Sequence, residues 1–387
     1  MGVLRAEPAR LGAVSRAVGS AWRAFDWQLS VYALMLMTFG LVMAYSNSAQ
    51  DGSSPLAWGS TFTRGIVWAV VAIGVFVIAT VFDYKWLKTF AWPLYGLNLG
   101  LLALSLFIGD GVGGSARWVT IPVIGLQFQF SELAKVLMIV VLARYLSARE
   151  SRLDSLPAIL GAGILMAPAI ALVMLQPDLG SSLVLFAILA GMLFMSGASL
   201  RWLAVLAGAA IAFVPIAWNL ILHDYQKARL LSFLDPAADP QGSGYHLLQS
   251  QIAVASGGLL GKGLTNSSQG QLDYLPVQTT DFVFAILGEE LGFLGAVVVF
   301  ALFVALLWRI LASAWRARDP FGTMFGAGLA SMILFQLLVN VGMVIGVMPI
   351  TGIPLPFITH GGASLMTLAL GLGILQSVNL RQTRAEW

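Results

Sequence analysis

The 387-residue chain contains no cysteine. That excludes disulfide frameworks, thiolate metal sites and cysteine nucleophiles. It says nothing about redox compartment, since a disulfide-free membrane protein can face either side. Charge is scarce too. Asp, Glu, Lys and Arg supply 10% of the residues while apolar residues reach 58%; soluble domains carry about 25% charged residues. A chain with so little polar surface would not stay dispersed in water. A soluble enzyme, a disordered scaffold and a nucleic-acid-binding domain are therefore excluded. Two patterns are also missing. No stretch alternates in the manner of a membrane β-barrel, and no inverted internal repeat of the transporter kind is visible.

What the chain does have is long apolar runs. A helix crosses the hydrocarbon core with ~20 predominantly apolar residues. Ten runs qualify: 27–46, 65–82, 87–109, 131–147, 157–175, 180–196, 200–222, 282–311, 322–346 and 363–380. The reading is an all-α integral membrane protein of about ten transmembrane helices. Residues 1–26, with Arg5, Arg10, Arg16 and Arg23, form an N-terminal tail. The run that follows is long enough to span, so this tail is not a cleavable signal peptide. Residues 27–380 make the transmembrane domain and 381–387 a C-terminal tail.

An even number of spans puts both termini on one side. Of the 21 Lys and Arg, Lys135 falls inside a span and Arg64, Arg117, Lys227, Arg229 and Lys262 fall on the side opposite the termini; the other fifteen share the termini's side. Positive charge accumulates in the cytoplasm, so both termini are expected to be cytoplasmic. The outer face then carries one large loop between helices 7 and 8, residues 223–280, and a shorter segment, 110–130. The last outer segment, 347–362, is apolar but rich in Gly and Pro. Such backbone survives at membrane depth only against protein or a wet cavity, so a re-entrant turn is expected there.

Polar residues near the outer face are the candidate site. Asp281, at the mouth of the eighth run, reads either as a helix N-cap or as a functional carboxylate. Glu132 and Lys135 are three apart on one helical face and can pair; the plainer account is a Ser131 cap, a carboxylate at the helix's positive end and a snorkelling lysine. Asp178, in Gln176-Pro177-Asp178-Leu179-Gly180, fits a turn or cap. Arg117, beside Trp118, is an interfacial anchor or an anion clamp. Lys262 sits in Gly257-Gly258-Leu259-Leu260-Gly261-Lys262-Gly263, a flexible loop or a cradle for a phosphate. Glu289 and Glu290, eight and nine residues beyond Asp281, need partners or water, and an internal polar network accounts for them. Residues 244–256 show helical spacing suited to a helix lying on the membrane. Local physics leaves a lipid-linked anion as substrate of either an enzyme or a transporter.

The same residues resemble the SEDS family (shape, elongation, division and sporulation). The resemblance is carried by Arg229-Leu230-Leu231-Ser232-Phe233-Leu234-Asp235-Pro236, Gly242-Ser243-Gly244-Tyr245-His246-Leu247-Leu248-Gln249-Ser250 and the glycine-rich loop. Thr280-Asp281-Phe282, Gly288-Glu289-Glu290-Leu291-Gly292, Ser131-Glu132-Leu133-Ala134-Lys135 and Thr351-Gly352-Ile353-Pro354-Leu355-Pro356-Phe357 fit as well. It covers nearly all of the chain beyond the first ~25 residues, and the family's ten-span topology agrees with the count above. Gly261-Lys262-Gly263 and Ser268-Gln269-Gly270-Gln271-Leu272 lean toward the elongation branch (RodA) over the division branch (FtsW). Phe130, Val277, Thr279 and His360 depart from the family pattern, where Pro, Glu, His and Tyr are usual.

The resemblance implies a peptidoglycan glycosyltransferase that polymerises lipid II into β-1,4 glycan strands at the outer face of the bacterial cytoplasmic membrane, by a single inverting displacement. It assigns Asp281 as general base and Glu132 and Lys135 as a second functional pair. In that pair Lys135 meets the pyrophosphate or orients Asp281, and Glu132 fixes Lys135. Arg117 becomes a pyrophosphate or peptide-stem contact, with Asp178 and Lys262 as further substrate contacts. No obligatory cofactor is implied; Mg2+ or Mn2+ would suit a pyrophosphate, but no ligand cluster identifies one. The implied partners are lipid II, undecaprenyl-pyrophosphate-linked glycan, a class B penicillin-binding protein and other membrane proteins of the elongation machinery, with no nucleic acid. A lipid II flippase and a non-catalytic transpeptidase scaffold are the competing readings.

Overall fold

The computed structural model describes residues 24–50, 54–108, 119–121, 126–149, 153–220, 222, 224–236, 242–268, 281–359 and 361–382. The chain runs through α1 (Trp27–Gln50), α2 (Thr61–Val81), the short α3 (Tyr84–Thr89) and α4 (Ala91–Ile108). A hairpin of β1 (Val119–Ile121) and β2 (Leu126–Phe128) follows, antiparallel with Val119 opposite Phe128. Then come α5 (Phe130–Ser147), α6 (Leu156–Leu175), α7 (Leu179–Met195) and α8 (Leu200–Leu220). The long connection holds α9 (Asp224–Leu234) and α10 (Ser243–Ser256), and α11 (Val283–Arg316), α12 (Pro320–Val344) and α13 (Gly362–Gln382) complete the chain.

Eight of these helices, α1, α2, α4, α6, α8, α11, α12 and α13, are long and apolar enough to cross a membrane. α7 is apolar but, at 17 residues, one residue shorter than α4, and α5 has the length but carries Glu132, Lys135 and Arg144. Adding these two gives ten, and each overlaps one of the ten expected runs. Two boundaries differ. The third run is preceded by a separate short helix, α3, capped by the Asp83 carboxylate on the Lys85 N–H at 3.0 Å. The eighth run is interrupted: Gly292 has φ 65° and ψ −166°, which no right-handed helix contains.

α5, α12 and α13 form the centre of the bundle. Nearly every residue of α5 from Ser131 to Leu146 is buried. That is the physical condition for a helix with an internal Glu and Lys: it must be surrounded by protein rather than lipid. Small residues let the central helices close up. A Cβ at Gly373 of α13 would lie 2.7 Å from the Ala79 side chain and from the Phe76 carbonyl of α2, the close approach that small residues permit between membrane helices. α8 is the opposite case. None of its residues is buried; only its first turns, at Trp202, Leu203 and Leu206, pack against the core.

The ends of the bundle are fastened differently. At the end bearing the chain termini, polar side chains tie helix to helix. Arg309 donates to Asp26 at 2.6 Å, Lys88 pairs with Asp319 at 2.9 Å, and Arg381 reaches Asp83 at 3.3 Å. At the other end buried loop backbone joins such side-chain ties. Ile353, Leu355, Phe357 and Ile358 are buried although none is helical. A Cβ at Gly40 would lie 2.7 Å from the Phe357 carbonyl, and Gly40 is about 20 Å along α1 from its start. The Gly/Pro-rich segment thus dips deep into the bundle, as expected, and packs against protein.

Candidate functional site

Asp281 stands at the start of α11, in front of a run in which every residue from Phe282 to Glu290 is buried. It is not the helix cap: Phe282 occupies that position and no side chain caps the helix. The plain N-cap reading of Asp281 therefore falls. Its backbone is held instead. The Asn340 amide of α12, wholly buried, donates to the Asp281 carbonyl at 3.0 Å and to the Ile353 carbonyl at 2.8 Å. One side chain thus registers the start of α11 against the re-entrant segment.

Between those two carbonyls lies Gly352, with φ +72°. A Cβ placed there would be 3.5 Å from Asp281 Oδ2 and 3.6 Å from Arg229 Nη1. The carboxylate of α11 and the guanidinium of α9 therefore flank the same glycine. Arg229 did not stand out from the sequence as a site residue. Its signals there are that it opens one of the motifs carrying the family resemblance and is one of few cations in the large outer segment; the fold brings it beside the re-entrant turn.

Asp178 works as a joint. Its carboxylate caps α7 by accepting from the Ser181 N–H at 3.0 Å, and it also accepts from Gln129 Nε2 at 2.9 Å and Ser131 Oγ at 3.1 Å. Ser131 thus serves Asp178 and does not cap its own helix, whose N-cap is Gln129. Two residues beyond Asp178, Gly180 packs so closely that a Cβ would lie 2.7 Å from the Thr351 carbonyl. The α5 start, the α6–α7 turn and the re-entrant segment are therefore continuous, and the last of them reaches Asp281.

Lys135 Nζ lies 2.5 Å from Glu132 Oε1, with the lysine 1% exposed and the glutamate 5%. The snorkelling reading of Lys135 falls, because its ammonium stays inside the bundle on its partner.

Lys262 is placed on a carboxylate. Its ammonium lies 2.5 Å from Glu289 Oε1 and 2.8 Å from Ser268 Oγ. Glu289 also accepts from Ser267 Oγ at 2.5 Å and from the Ser268 N–H at 3.0 Å. Glu290 accepts from Ser46 Oγ at 2.5 Å and Gln50 Nε2 at 2.6 Å, both on α1. These two glutamates form the internal network expected of them. They are not deep in the membrane, however. The part of α11 beyond Gly292 has 24 residues, about 36 Å, which spans the hydrocarbon core alone. Glu289 and Glu290 sit at its outer end.

Arg117, Val277, Thr279 and His360 lie outside the described residues. Phe130 opens α5 and packs edge-on against Phe128 at 5.5 Å. Among the described residues no group of three His, Asp or Glu could hold a metal ion.

Comparison with known proteins agrees with this architecture. Residues 27–384 match the family model of cell cycle proteins that takes in FtsW, RodA and SpoVE. The peptidoglycan glycosyltransferase MrdB of Escherichia coli K12 is 36% identical over 354 residues, covering 92% of this chain and 93% of the relative. A probable peptidoglycan glycosyltransferase FtsW of Thiomicrospira cyclica is 37% identical over 371 residues, covering 92% of each. Among solved structures, a chain from work on the coordination of polymerization and crosslinking by a peptidoglycan synthase complex superposes with TM-score 0.78 at 31% identity, covering 94% of this chain and 99% of that one. The rod shape determining protein RodA of Thermus thermophilus superposes with TM-score 0.69 at 28% identity, covering 93% and 98%. With nearly the whole chain matched in sequence and in fold, this integral membrane protein belongs to the FtsW/RodA/SpoVE family.

Proposed function

We propose that this chain is a peptidoglycan glycosyltransferase that joins undecaprenyl-pyrophosphate-linked disaccharides into β-1,4 glycan at the outer face of the bacterial cytoplasmic membrane. The observation that carries the mechanism is the convergence of Asp281 and Arg229 on Gly352. Asp281 takes the proton from the acceptor GlcNAc 4-hydroxyl as that oxygen attacks the donor MurNAc anomeric carbon. The C1–O bond to pyrophosphate breaks on the opposite face, and the leaving group departs with the electron pair. The old linkage is α and the new one β, so one inverting displacement suffices. Negative charge grows on the pyrophosphate as the bond breaks, and a guanidinium is well built to meet it. Arg229 takes that role. Lys135 suits it less, since its ammonium is buried on Glu132; the pair instead stiffens the α5 end against which the re-entrant segment is built. No step is routed through a metal ion.

Relatives of nearly equal identity carry elongation-type and division-type names, so the lean toward elongation rests on the motifs around Lys262. A membrane-anchored transpeptidase, a class B penicillin-binding protein, is the proposed partner. The 31% identical chain from a synthase that couples polymerization to crosslinking supports that reading. The test is polymerisation of labelled lipid II by the purified protein, with a transpeptidase partner lacking its active serine included. Wild type should give a glycan ladder and folded Asp281→Ala none. Near-normal polymer from the variant removes the general-base assignment.

A further inference from the structure

The break at Gly292 is sealed by another part of the chain. In an unbroken helix the Glu289 and Glu290 carbonyls would accept from the N–H groups of Phe293 and Leu294. Here they accept from Lys262 at 3.0 Å and Gly263 at 3.0 Å, while Phe293 and Leu294 donate to Gly258 at 2.9 Å and Leu259 at 3.1 Å. The glycine-rich loop thus satisfies four of the groups the break exposes, as buried backbone requires. Glycine at the contact points lets the loop lie so close: a Cβ at Gly257 or Gly261 would collide with the Gly288 or Glu290 carbonyl. The cradle expected for a phosphate is filled by the protein's own helix.

The loop is also the end of α10. Ser256, its last residue, donates to Glu289 at 3.3 Å, and α10 is the helix against which α9 packs. Arg229 rides on α9 and Asp281 on the buried half-helix before the break. The two groups of the proposed reaction therefore belong to different elements, held together by the packing of α10 on α11, where Val254 meets Gly288, and by the loop.

We propose that Lys262 and Glu289 are positioning residues: their ion pair locks the α9–α10 arm to the half-helix of Asp281 and so sets how guanidinium and carboxylate are placed beside Gly352. This rests on the glycosyltransferase reading for its consequence, though not for its geometry. Neither residue touches substrate. Each fixes a backbone that does.

The experiment compares Lys262→Met, Glu289→Gln and the double variant, purified with their transpeptidase partner. Misplacing reacting groups by an ångström costs about 10²-fold in rate. Each single variant should lose kcat on that scale with KM within about twofold, because substrate contacts remain. The double should be no worse than either single, as expected for residues acting as one unit. Wild-type kcat in folded Lys262→Met overturns the proposal. So does a raised KM with unchanged kcat, which would make Lys262 a substrate contact. If Glu289→Gln fails to fold, Ser267→Ala, which removes one bond to the same carboxylate, takes its place under the same criteria.

A second readout needs no activity. The chain lacks cysteine, so Leu231→Cys on α9 and Ile345→Cys after α12, both exposed, accept spin labels cleanly. Lys262→Met should broaden the distance distribution between them, and an unchanged distribution overturns the proposal. A silent wild type with a broadened distribution would overturn the enzyme reading and leave the lock standing.

Discussion

At the residue scale, Gly352 is where the proposed chemistry is most exposed to a single methyl. Its φ of +72° disfavours any side chain, and alanine in the left-handed region costs about 1 kcal/mol. The added Cβ would meet Asp281 and Arg229 at ordinary contact distance, so the fold tolerates it. The space it fills is the one the reacting atoms need. Gly352→Ala should therefore lower polymerisation by at least tenfold while costing only about 1 kcal/mol of stability. Gly197, with φ +78° and nothing within 4 Å of its Cβ position, is the control. Gly197→Ala should show a similar stability loss, read by thermal unfolding, with near-normal polymer. Equal activities would place the reaction elsewhere. This scale also shows what the sequence alone conveys. Asp281 is legible because a carboxylate at the mouth of an apolar run is costly and the family motif surrounds it. Arg229 is less so: it opens a family motif, but its local chemistry does not separate it from Lys227 two residues earlier, and only the folding of α9 places it beside Asp281.

At the element scale, α5 concentrates the cost of buried charge. Glu132 and Lys135 satisfy one another at 2.5 Å in a helix with almost no exposed surface. Removing one partner of such a pair leaves an uncompensated charge, worth about 3–5 kcal/mol of destabilisation, whereas removing both is often close to neutral. Glu132→Gln and Lys135→Met should each unfold well below wild type in a detergent melt. The double variant should regain most of the lost stability. If both singles melt like wild type, the pair is more solvated than its burial indicates. The pairing was readable from a spacing of three, and so were the ten spans, because an apolar run of that length has few alternatives. The interruption of α11 was not. Glycine is tolerated inside helices at a cost of only about 1 kcal/mol, so Gly292 looks like a lapse in propensity. What breaks the helix is the glycine-rich loop some thirty residues upstream, and that contact leaves no periodic trace. The same blindness made Glu289 and Glu290 look deep.

At the scale of the whole molecule, charge and fold agree about which way round the protein sits. Ten alternating spans place Lys85, Lys88, Arg144, Arg149, Arg201, Arg309, Arg316, Arg318 and Arg381 at the end that bears the chain termini. Among the described residues the Asp281 end holds only Arg64, Lys227, Arg229 and Lys262, the last three of which sit beside carboxylates within the fold. Cations near span ends are retained in the cytoplasm, so the Asp281 end is expected outside, where glycan is built and nucleotide is absent. This orientation follows from the cations of all the loops taken together. It is therefore best tested at both ends at once. Ser54, between α1 and α2, and Arg318, between α11 and α12, are exposed at opposite ends. In intact bacterial spheroplasts a membrane-impermeant maleimide should label Ser54→Cys and spare Arg318→Cys, and permeabilisation should expose the second. Labelling of Arg318→Cys alone before permeabilisation would turn the molecule over, put Asp281 and Arg229 in the cytoplasm, and leave the proposed polymerase on the wrong side of its product.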